Sequence, residues 1–229
     1  MKPDGAQPSR NKPAPVRVRG EEILATTVKL VREQGLSNVR VADVAERAGT
    51  TTTSVIYYFA SKGQLFGEAV ADADAAFYAR LLPELASLDS GIDRLARLIV
   101  RSSASEWPLW MDTWLLARQH PELREAEMTF EASWCNVIAD AIRQGVSRGE
   151  FHTVAPDDVA LRISALTEGL AIHMVLGHPG RTREHYVEML MKTAAAELGC
   201  DEAALLTAAA RVPPEPAEED VQTTRKGAR

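Results

Sequence analysis

Apolar side chains recur at helical spacing through nearly the whole 229-residue chain, and this periodicity is what most constrains the fold. No segment alternates apolar and polar residues between turn residues, as a half-buried β-strand would. Prolines and glycines interrupt the pattern where helices would end. The sequence therefore predicts an all-α fold, with four helices in the first third and further helices near 91–105, 107–119, 122–148, 157–177, 182–198 and 201–211.

The first four predicted helices have clear boundaries. The first ends at Gly35 and the second at Gly49, since glycine suits the residue that follows a helix. A threonine run at 50–53 opens the third. Residues 61–64 have the Ser-x-x-Gln form of a capping box, so they should begin a fourth helix that ends at Pro83.

Charge is unevenly distributed along the chain. The net charge is −6, but residues 1–65 carry +4 and residues 66–229 carry −10. A basic part beside an acidic part suggests that the first meets a polyanion while the second has another role. Chance clustering of charge is the simpler alternative, so any function has to be argued from a motif.

Composition excludes several classes of protein. No apolar run approaches the roughly 18 to 20 residues of a membrane span, and the N-terminus lacks the apolar core of a secretory signal. Cys135 and Cys200 have neither metal spacing nor a disulfide framework. We therefore expect a cytoplasmic protein with no membrane segment, metal or cofactor. Residues 1–18 are predicted to be a disordered basic arm and 212–229 a disordered tail.

The segment 41–59 has the form of a helix-turn-helix: a helix, a glycine-containing turn and a second short helix. Small hydroxyl residues at the start of the second helix would let its backbone approach the floor of the DNA major groove. Tyr57 and Tyr58 could each donate a hydroxyl to phosphate. Short helix pairs also occur in many other folds, where the threonines would serve as caps and the tyrosines as a half-buried pair.

The stretch from Arg19 to Phe66 resembles the DNA-binding region of the tetracycline-repressor (TetR) family of bacterial regulators. The matching pieces are RGEEILATTVKLVREQG, VADVAERAG and TTTTSVIYYFASKGQLF. The resemblance implies a homodimer in which 19–66 binds a double-stranded DNA operator, while 67–211 dimerises and binds a small-molecule effector. The positions that it assigns to DNA contact are Arg40, Thr51, Thr52, Thr53, Tyr57, Tyr58 and Lys62.

Three positions depart from the usual family pattern. Ile56 stands where tyrosine is usual, Arg40 where a capping threonine is common, and Gly63 where glutamate is frequent. Ile56 either loses one phosphate contact or packs inward. Arg40 can point at phosphate or at a groove edge, so the operator sequence cannot be transferred from a relative.

An effector site is expected among aromatic side chains of the C-terminal region, whose sequence around WPLWMDTWLLARQHPEL more loosely resembles the choline-responsive branch of the family. Large aromatic rings commonly line such pockets, and nearby carboxylates, including Asp112, suggest a cationic ligand. The residues expected to line it are Trp107, Trp110, Trp114, Phe130, Glu131, Trp134, Glu168 and His173. The alternatives are that the aromatic stripe and His173 belong to the core and that the acids form a solvated face.

The two last long helices are expected to form the dimer. Ala165, Gly169 and Ala171 would allow close helix approach. The larger side chains expected to face a partner are Tyr186, Met189, Leu190 and Thr193. The resemblance thus implies a repressor that is released from palindromic DNA by its effector.

An enzyme is the main alternative class of protein for this sequence. The five histidines have no metal-ligand spacing, and neither a glycine-rich phosphate loop nor a Gly-x-Ser-x-Gly elbow is present. Cys135 is interpreted as a small buried residue, so no enzyme is predicted. A helical enzyme or scaffold without DNA binding remains the alternative.

Overall fold

The computed structural model describes residues 14–102, 107–153 and 155–214, with the side chains of 14–18 left out. Within these ranges the chain is helical and contains no strand, which confirms the all-α prediction. A 3₁₀ turn at Leu36–Asn38 follows the first helix. The helices are α1 (Ala14–Gln34), α2 (Val41–Arg47), α3 (Thr52–Phe59), α4 (Lys62–Ala86), α5 (Gly91–Ser102), α6 (Trp107–Ala117), α7 (Pro121–Ser147), α8 (Pro156–Val175), α9 (Arg183–Leu198) and α10 (Glu202–Ala210).

Two predicted helix ends were wrong. Helix α1 begins at Ala14, inside the segment 1–18 that was expected to be disordered. Helix α4 continues through Pro83 to Ala86, because Pro83 lies in its last turn and the buried Leu85 holds that turn against the core. The predictions for residues 1–13 and 103–106 lie outside the described part of the chain.

The start of the predicted C-terminal tail is tied to the body of the protein. Arg101 on α5 is buried and ion-paired with Glu84 at 2.9 Å. Its guanidinium also donates to the Pro213 carbonyl at 3.2 Å. The prediction of disorder was therefore wrong for this residue, and residues 215–229 lie outside the described ranges.

Buried side chains form two clusters. One joins the first three helices to the start of α4, and it also takes in Trp110 and Ala117 of α6 and Leu123 of α7. The other fills the space among the end of α4 and helices α5, α7, α8, α9 and α10. Because α6 and the first turn of α7 pack into the first cluster, the N-terminal core continues beyond residue 66, where the sequence places a domain boundary.

Candidate DNA-binding and effector sites

The turn between α2 and α3 is built from backbone contacts. Gly49 has a φ of 61°, in the left-handed region that glycine adopts easily, and the Thr50 amide donates to the Ala45 carbonyl at 2.8 Å. Arg19 on α1 donates to the Ala48 and Gly49 carbonyls at 2.9 and 3.1 Å. These bonds satisfy carbonyls at the end of α2 and fix the turn against α1.

Buried apolar residues hold α2 and α3 together. Val44 and Ala45 from α2 are buried, as are Val55 and Phe59 from α3. This is the packing that the helix-turn-helix interpretation expects of these four side chains, and it leaves the opposite face of α3 in solvent.

The start of α3 presents the hydroxyl residues. Thr51 is the N-cap, and its hydroxyl oxygen accepts from the Ser54 amide at 3.1 Å. Thr52 and Thr53 are exposed in the first turn. Thr51 therefore has a structural role, while the exposed backbone N–H groups beside it are suited to phosphate.

The end of α3 carries the aromatic pair. Tyr57 is 70% exposed and its ring meets that of half-buried Tyr58 edge-on, with centroids 5.4 Å apart. Ile56 is 39% exposed, so the inward-packing alternative for this residue was wrong. Lys62, at the start of α4, lies with its Nζ 4.9 Å from the Phe66 ring centroid.

The remaining predicted DNA contact is Arg40, the exposed N-cap of α2. Its backbone amide donates to Asp43 Oδ2 at 2.8 Å, and that bond helps begin the helix without the usual capping threonine. The guanidinium is thus carried at the start of α2, on the surface of the helix-turn-helix.

Two polar contacts join the N-terminal helices to the rest. Asp112 on α6 accepts from the Ser37 amide at 2.9 Å and from the Ser37 hydroxyl at 2.8 Å. Ser61, the N-cap of α4, donates its hydroxyl to Glu122 Oε1 at 3.2 Å. The prediction that Asp112 would hold a ligand cation was therefore wrong, because its carboxylate is bonded to the 3₁₀ turn.

Gly63 fits this contact region. A Cβ at this position would lie 2.8 Å from Glu122 Oε2 and 3.1 Å from His120 Nδ1. The glutamate that is frequent in the family would meet a carboxylate here, so the departure follows from the packing of α7 against the start of α4.

Aromatic rings of α6 and α7 lie close together. Trp110 stacks on Phe130 with centroids 3.8 Å apart. The ring centroids of Trp107 and Trp114 are 6.2 Å apart. The Trp107 indole N–H donates to the Ser102 carbonyl at 2.7 Å. Trp110 is buried, in agreement with the core alternative, while Trp107, Trp114 and Phe130 are half-buried.

Three carboxyl groups lie beside these rings. Glu131 Oε1 accepts from Cys135 Sγ at 3.1 Å and from the Ser164 hydroxyl at 3.3 Å. Glu168 lies close to Glu131 on the facing helix, so the negative charges of the two carboxylates repel each other. Burial, and then the charge of Glu131, raises the pKa of Glu168 to about 7.

The third carboxyl group belongs to Glu127, one helical turn before Glu131. The Trp114 side chain lies near Glu127, so an aromatic residue of α6 borders this carboxyl group of α7. Burial, and then Glu131, raises the pKa of Glu127. We call Glu127, Glu131 and Glu168 the acidic row.

The sequence analysis missed the contribution of α4. The Tyr78 ring lies 6.2 Å from Phe130, and Phe77 lies 6.0 Å from the buried Trp134. The Tyr78 hydroxyl is buried with no hydrogen-bond partner in the described structure. Burial, and then the charge of Asp74, raises the pKa of Tyr78. The helical spacing of Asp74 and Tyr78, on a helix predicted to reach this domain, was the available signal.

Two side-chain expectations in this region need correction. His173 is exposed, with its Nδ1 2.8 Å from Nδ1 of His178, so its placement in the core was wrong. Cys135 is half-buried rather than fully buried. Burial, and then the bond to Glu131, raises the pKa of its thiol to about 12, which keeps it in the unreactive protonated form.

A groove of about 560 Å³ lies elsewhere, on the outer face of α7. It is lined by Pro121, Arg124, Glu125, Met128, Thr129, Ala132, Ser133 and Asn136, and by none of the predicted effector residues. All eight belong to one helix, so this is an open surface without converging chemical groups. The rings and carboxyls among α4, α6, α7 and α8 are the stronger candidate for a ligand site.

The predicted dimer residues divide between core and surface. Tyr186 and Leu190 are each 2% exposed, because this face of α9 packs into the core of the same chain. The expectation that they face a partner was therefore wrong. Thr193 is exposed and Met189 is half-buried. On α8, Ala171 is buried.

A separate stripe on α8 is exposed. Leu161, Ile172 and Leu176 are 56%, 39% and 62% exposed, and Ala165 and Gly169 lie in solvent at matching helical spacing. Apolar residues at this spacing form one continuous face. Exposed apolar patches of this kind mark interaction surfaces more often than isolated surface residues do.

Comparisons with known proteins agree with this architecture. Residues 23–69 match the family model described as bacterial regulatory proteins, tetR family, and residues 95–199 match the model of the BetI-type transcriptional repressor, C-terminal. The HTH-type transcriptional regulator BetI of Escherichia coli is 20% identical over 167 residues, covering 69% of this chain and 83% of that protein.

Solved structures give the same result. A protein from Saccharomonospora viridis, crystallised with choline, is 29% identical with a TM-score of 0.68, covering 76% of this chain and 93% of that one. A TetR-family protein from Rhodococcus sp. is 24% identical with a TM-score of 0.65, covering 79% and 98%, and supports the fold.

The helix-turn-helix joined to a larger helical domain defines a DNA-binding transcriptional regulator. The chain belongs to the TetR family, and its C-terminal domain is of the BetI type. No helix in the described part of the chain is long and apolar enough to cross a membrane.

Proposed function

We propose that this regulator is a cytoplasmic, homodimeric repressor that leaves its operator when a cationic small molecule binds among α4, α6, α7 and α8. The observation that carries the proposal is the acidic row beside aromatic rings. A cation placed there would gain both carboxylate attraction and cation–π contact. The presence of choline in the Saccharomonospora viridis structure supports this class of ligand.

The proposed site has distinct parts. Glu131 and Glu168 supply charge from facing helices, while Phe130 and Trp114, which lies near Glu127, supply ring surface. Tyr78 adds a buried hydroxyl without a partner, which a polar group of the ligand could satisfy. A cation would favour the charged form of Glu168, so it would bind in exchange for the proton of that carboxyl group.

For the operator, we assign the exposed hydroxyls of α3 to the major groove and the flanking groups to phosphate. Thr52 and Thr53 face solvent at the start of the helix, next to its exposed N–H groups. Tyr57 and Lys62 lie at the far end, where they can reach the DNA backbone. Arg40 completes the surface from the start of α2.

For the dimer, we propose that the exposed stripe of α8 meets its copy across a two-fold axis, with exposed residues of α9 beside it. Small residues at Ala165 and Gly169 would let the two helices approach closely, and the larger apolar side chains around them would be buried. A dimer would place two recognition helices about one DNA turn apart, at roughly 34–36 Å, for successive major grooves.

The test compares choline with 3,3-dimethyl-1-butanol, its uncharged carbon isostere. Retardation of the DNA upstream of the gene is measured with the full chain at several salt concentrations. We expect salt-sensitive binding that choline weakens and the isostere does not. Glu168→Gln should reduce the response to choline while DNA binding without ligand is unchanged.

The outcomes separate the candidate functions. Equal effects of choline and the isostere would overturn the cationic ligand, and tighter DNA binding with choline would overturn release. If no fragment is retarded at low salt, the alternative of a helical enzyme or scaffold without DNA binding is favoured.

A further inference from the structure

One carboxylate of the C-terminal domain is hydrogen-bonded to the 3₁₀ turn that leads into the helix-turn-helix. Asp112 accepts two hydrogen bonds from Ser37, from its amide and from its hydroxyl, across 75 positions of sequence. Gly35, two residues before Ser37, has a φ of 81°, and a Cβ at this position would lie 3.1 Å from Asp112 Oδ2. The 3₁₀ turn is thus shaped to receive this carboxylate.

The turn is held firmly on the DNA-binding side. Leu36 and Val39, on either side of Ser37, are fully buried in the N-terminal core. The turn leads into α2, which packs on α3 through Val44 and Val55. A displacement of Ser37 is therefore passed to the recognition helix instead of being absorbed by a loose loop.

The helix that carries Asp112 also reaches the proposed effector site. On α6, Trp110 stacks on Phe130 of the proposed site with ring centroids 3.8 Å apart. Trp114, two positions beyond Asp112 and about 200° around the helix, lies near Glu127 of the acidic row. Because α6 has only 11 residues, a ligand that moves Trp114 moves Asp112 as well. One short helix thus contacts the effector site on one side and the 3₁₀ turn on the other.

We infer that Asp112 is a positioning residue that couples the effector site to the helix-turn-helix through Ser37 and the 3₁₀ turn, without passing through α4. This inference rests on the proposed effector site. A competing route runs from α7 to α4, where Ser61 donates a single bond to Glu122 at 3.2 Å. The Asp112 contact is the closer of the two, has two donors, and enters the helix-turn-helix directly.

The experiment is a double-mutant cycle on operator affinity, measured with the full chain and no ligand. Trp114→Phe keeps an aromatic ring but removes the indole that lies near Glu127, and Asp112→Asn weakens the hydrogen bonds with Ser37. If α6 transmits the change, the two substitutions are not additive. We expect the effect of Trp114→Phe on DNA affinity to shrink at least about threefold in the Asp112→Asn background.

Three further variants define the result. Ser37→Ala, which removes one donor and leaves α6 intact, should reproduce the effect of Asp112→Asn. Trp114→Phe should be additive with Glu122→Gln, which weakens the α4 route. Trp114→Phe should also be additive with Asp140→Asn, because Asp140 is exposed and among the described residues pairs with Arg143 only.

Additivity of Trp114→Phe with Asp112→Asn would overturn the inference, as would non-additivity with Glu122→Gln alone. If neither Trp114→Phe nor Trp114→Ala changes DNA affinity, α6 does not couple the two regions and the inference is wrong. No ligand is used in this experiment, so its result tests the coupling even if the effector proves not to be a cation.

Discussion

The indole of Trp110 stacks on the ring of Phe130, with 3.8 Å between centroids and 22° between planes. Trp110 belongs to the core of the N-terminal helices, whereas Phe130 packs against both cores. The stack therefore joins the DNA-binding part to the C-terminal helices through side-chain contact as well as through the continuous α4.

Replacement of this ring should destabilise the protein. Trp110 is buried, so Trp110→Ala would remove its packing and leave a cavity, at a cost of about 3–5 kcal/mol in the free energy of unfolding. Urea denaturation followed by circular dichroism measures the change. The control is Leu115→Ala on the same helix, 56% exposed, which should stay within about 0.5 kcal/mol. Equal effects of the two variants would contradict the assigned packing.

The raised pKa of Glu168 predicts pH-dependent effector binding. Its pKa in the folded protein is about 7, well above the usual range of a glutamate, so below pH 7 Glu168 holds a proton that a cation has to displace. Choline affinity should therefore rise as pH increases from about 6 to 8, by up to about tenfold per unit below the pKa. Choline itself has no proton to lose, so the dependence belongs to the protein.

The same shift affects stability with the opposite sign. Between pH 4.5 and about 7 the unfolded chain releases the Glu168 proton more readily than the folded chain, so this group's contribution to stability falls as pH rises. Glu168→Gln should flatten both the binding and the stability profiles across this window. Titration by isothermal calorimetry at several pH values measures the first. An unchanged binding profile in the variant would assign the proton to another group.

Phosphate contact by Lys62 predicts a change in salt dependence. Lys62→Ala should weaken operator binding and lower the slope of log affinity against log salt concentration by about 2, because each of the two subunits of the proposed dimer releases one fewer counterion. Fluorescence anisotropy with labelled operator DNA gives the slope. Arg80→Ala removes an equal charge from the exposed middle of α4 and should leave the slope unchanged. A matching loss in both variants would indicate a general charge effect.

Helix ends and the helix-turn-helix followed from local chemistry. Gly35 and Gly49 end their helices as predicted because positive φ favours glycine at these positions. The capping box was half right: Ser61 accepts from the Gln64 amide at 3.0 Å, but the Gln64 side chain bonds Glu68 instead. The reciprocal bond of a capping box needs the Ser61 backbone N–H as its donor, and that N–H donates to the Phe59 carbonyl at 2.6 Å.

Side-chain partners distant in sequence were harder to predict. Spacing identified Asp112 as an acid among tryptophans, but its partner lies in a 3₁₀ turn 75 positions away. The prediction for Tyr186 and Leu190 was wrong for a related reason. Periodicity shows which residues share a helix face, but not whether that face packs against the protein's own core or against a second copy. Tyr78 was missed because its role depends on where α4 packs.

The exposed stripe of α8 predicts that oligomeric state depends on Leu161 and Ile172. Leu161→Glu and Ile172→Glu would each place a charge in an apolar contact, so both should shift a dimer towards monomer. Light scattering after size-exclusion chromatography measures the mass, and operator affinity should fall with loss of the dimer. The matched control is Met128→Glu on the outer face of α7, where the native side chain is 58% exposed. The two helices expose separate apolar residues. If Met128→Glu alone dissociates the dimer, the interface lies on α7 and not on α8.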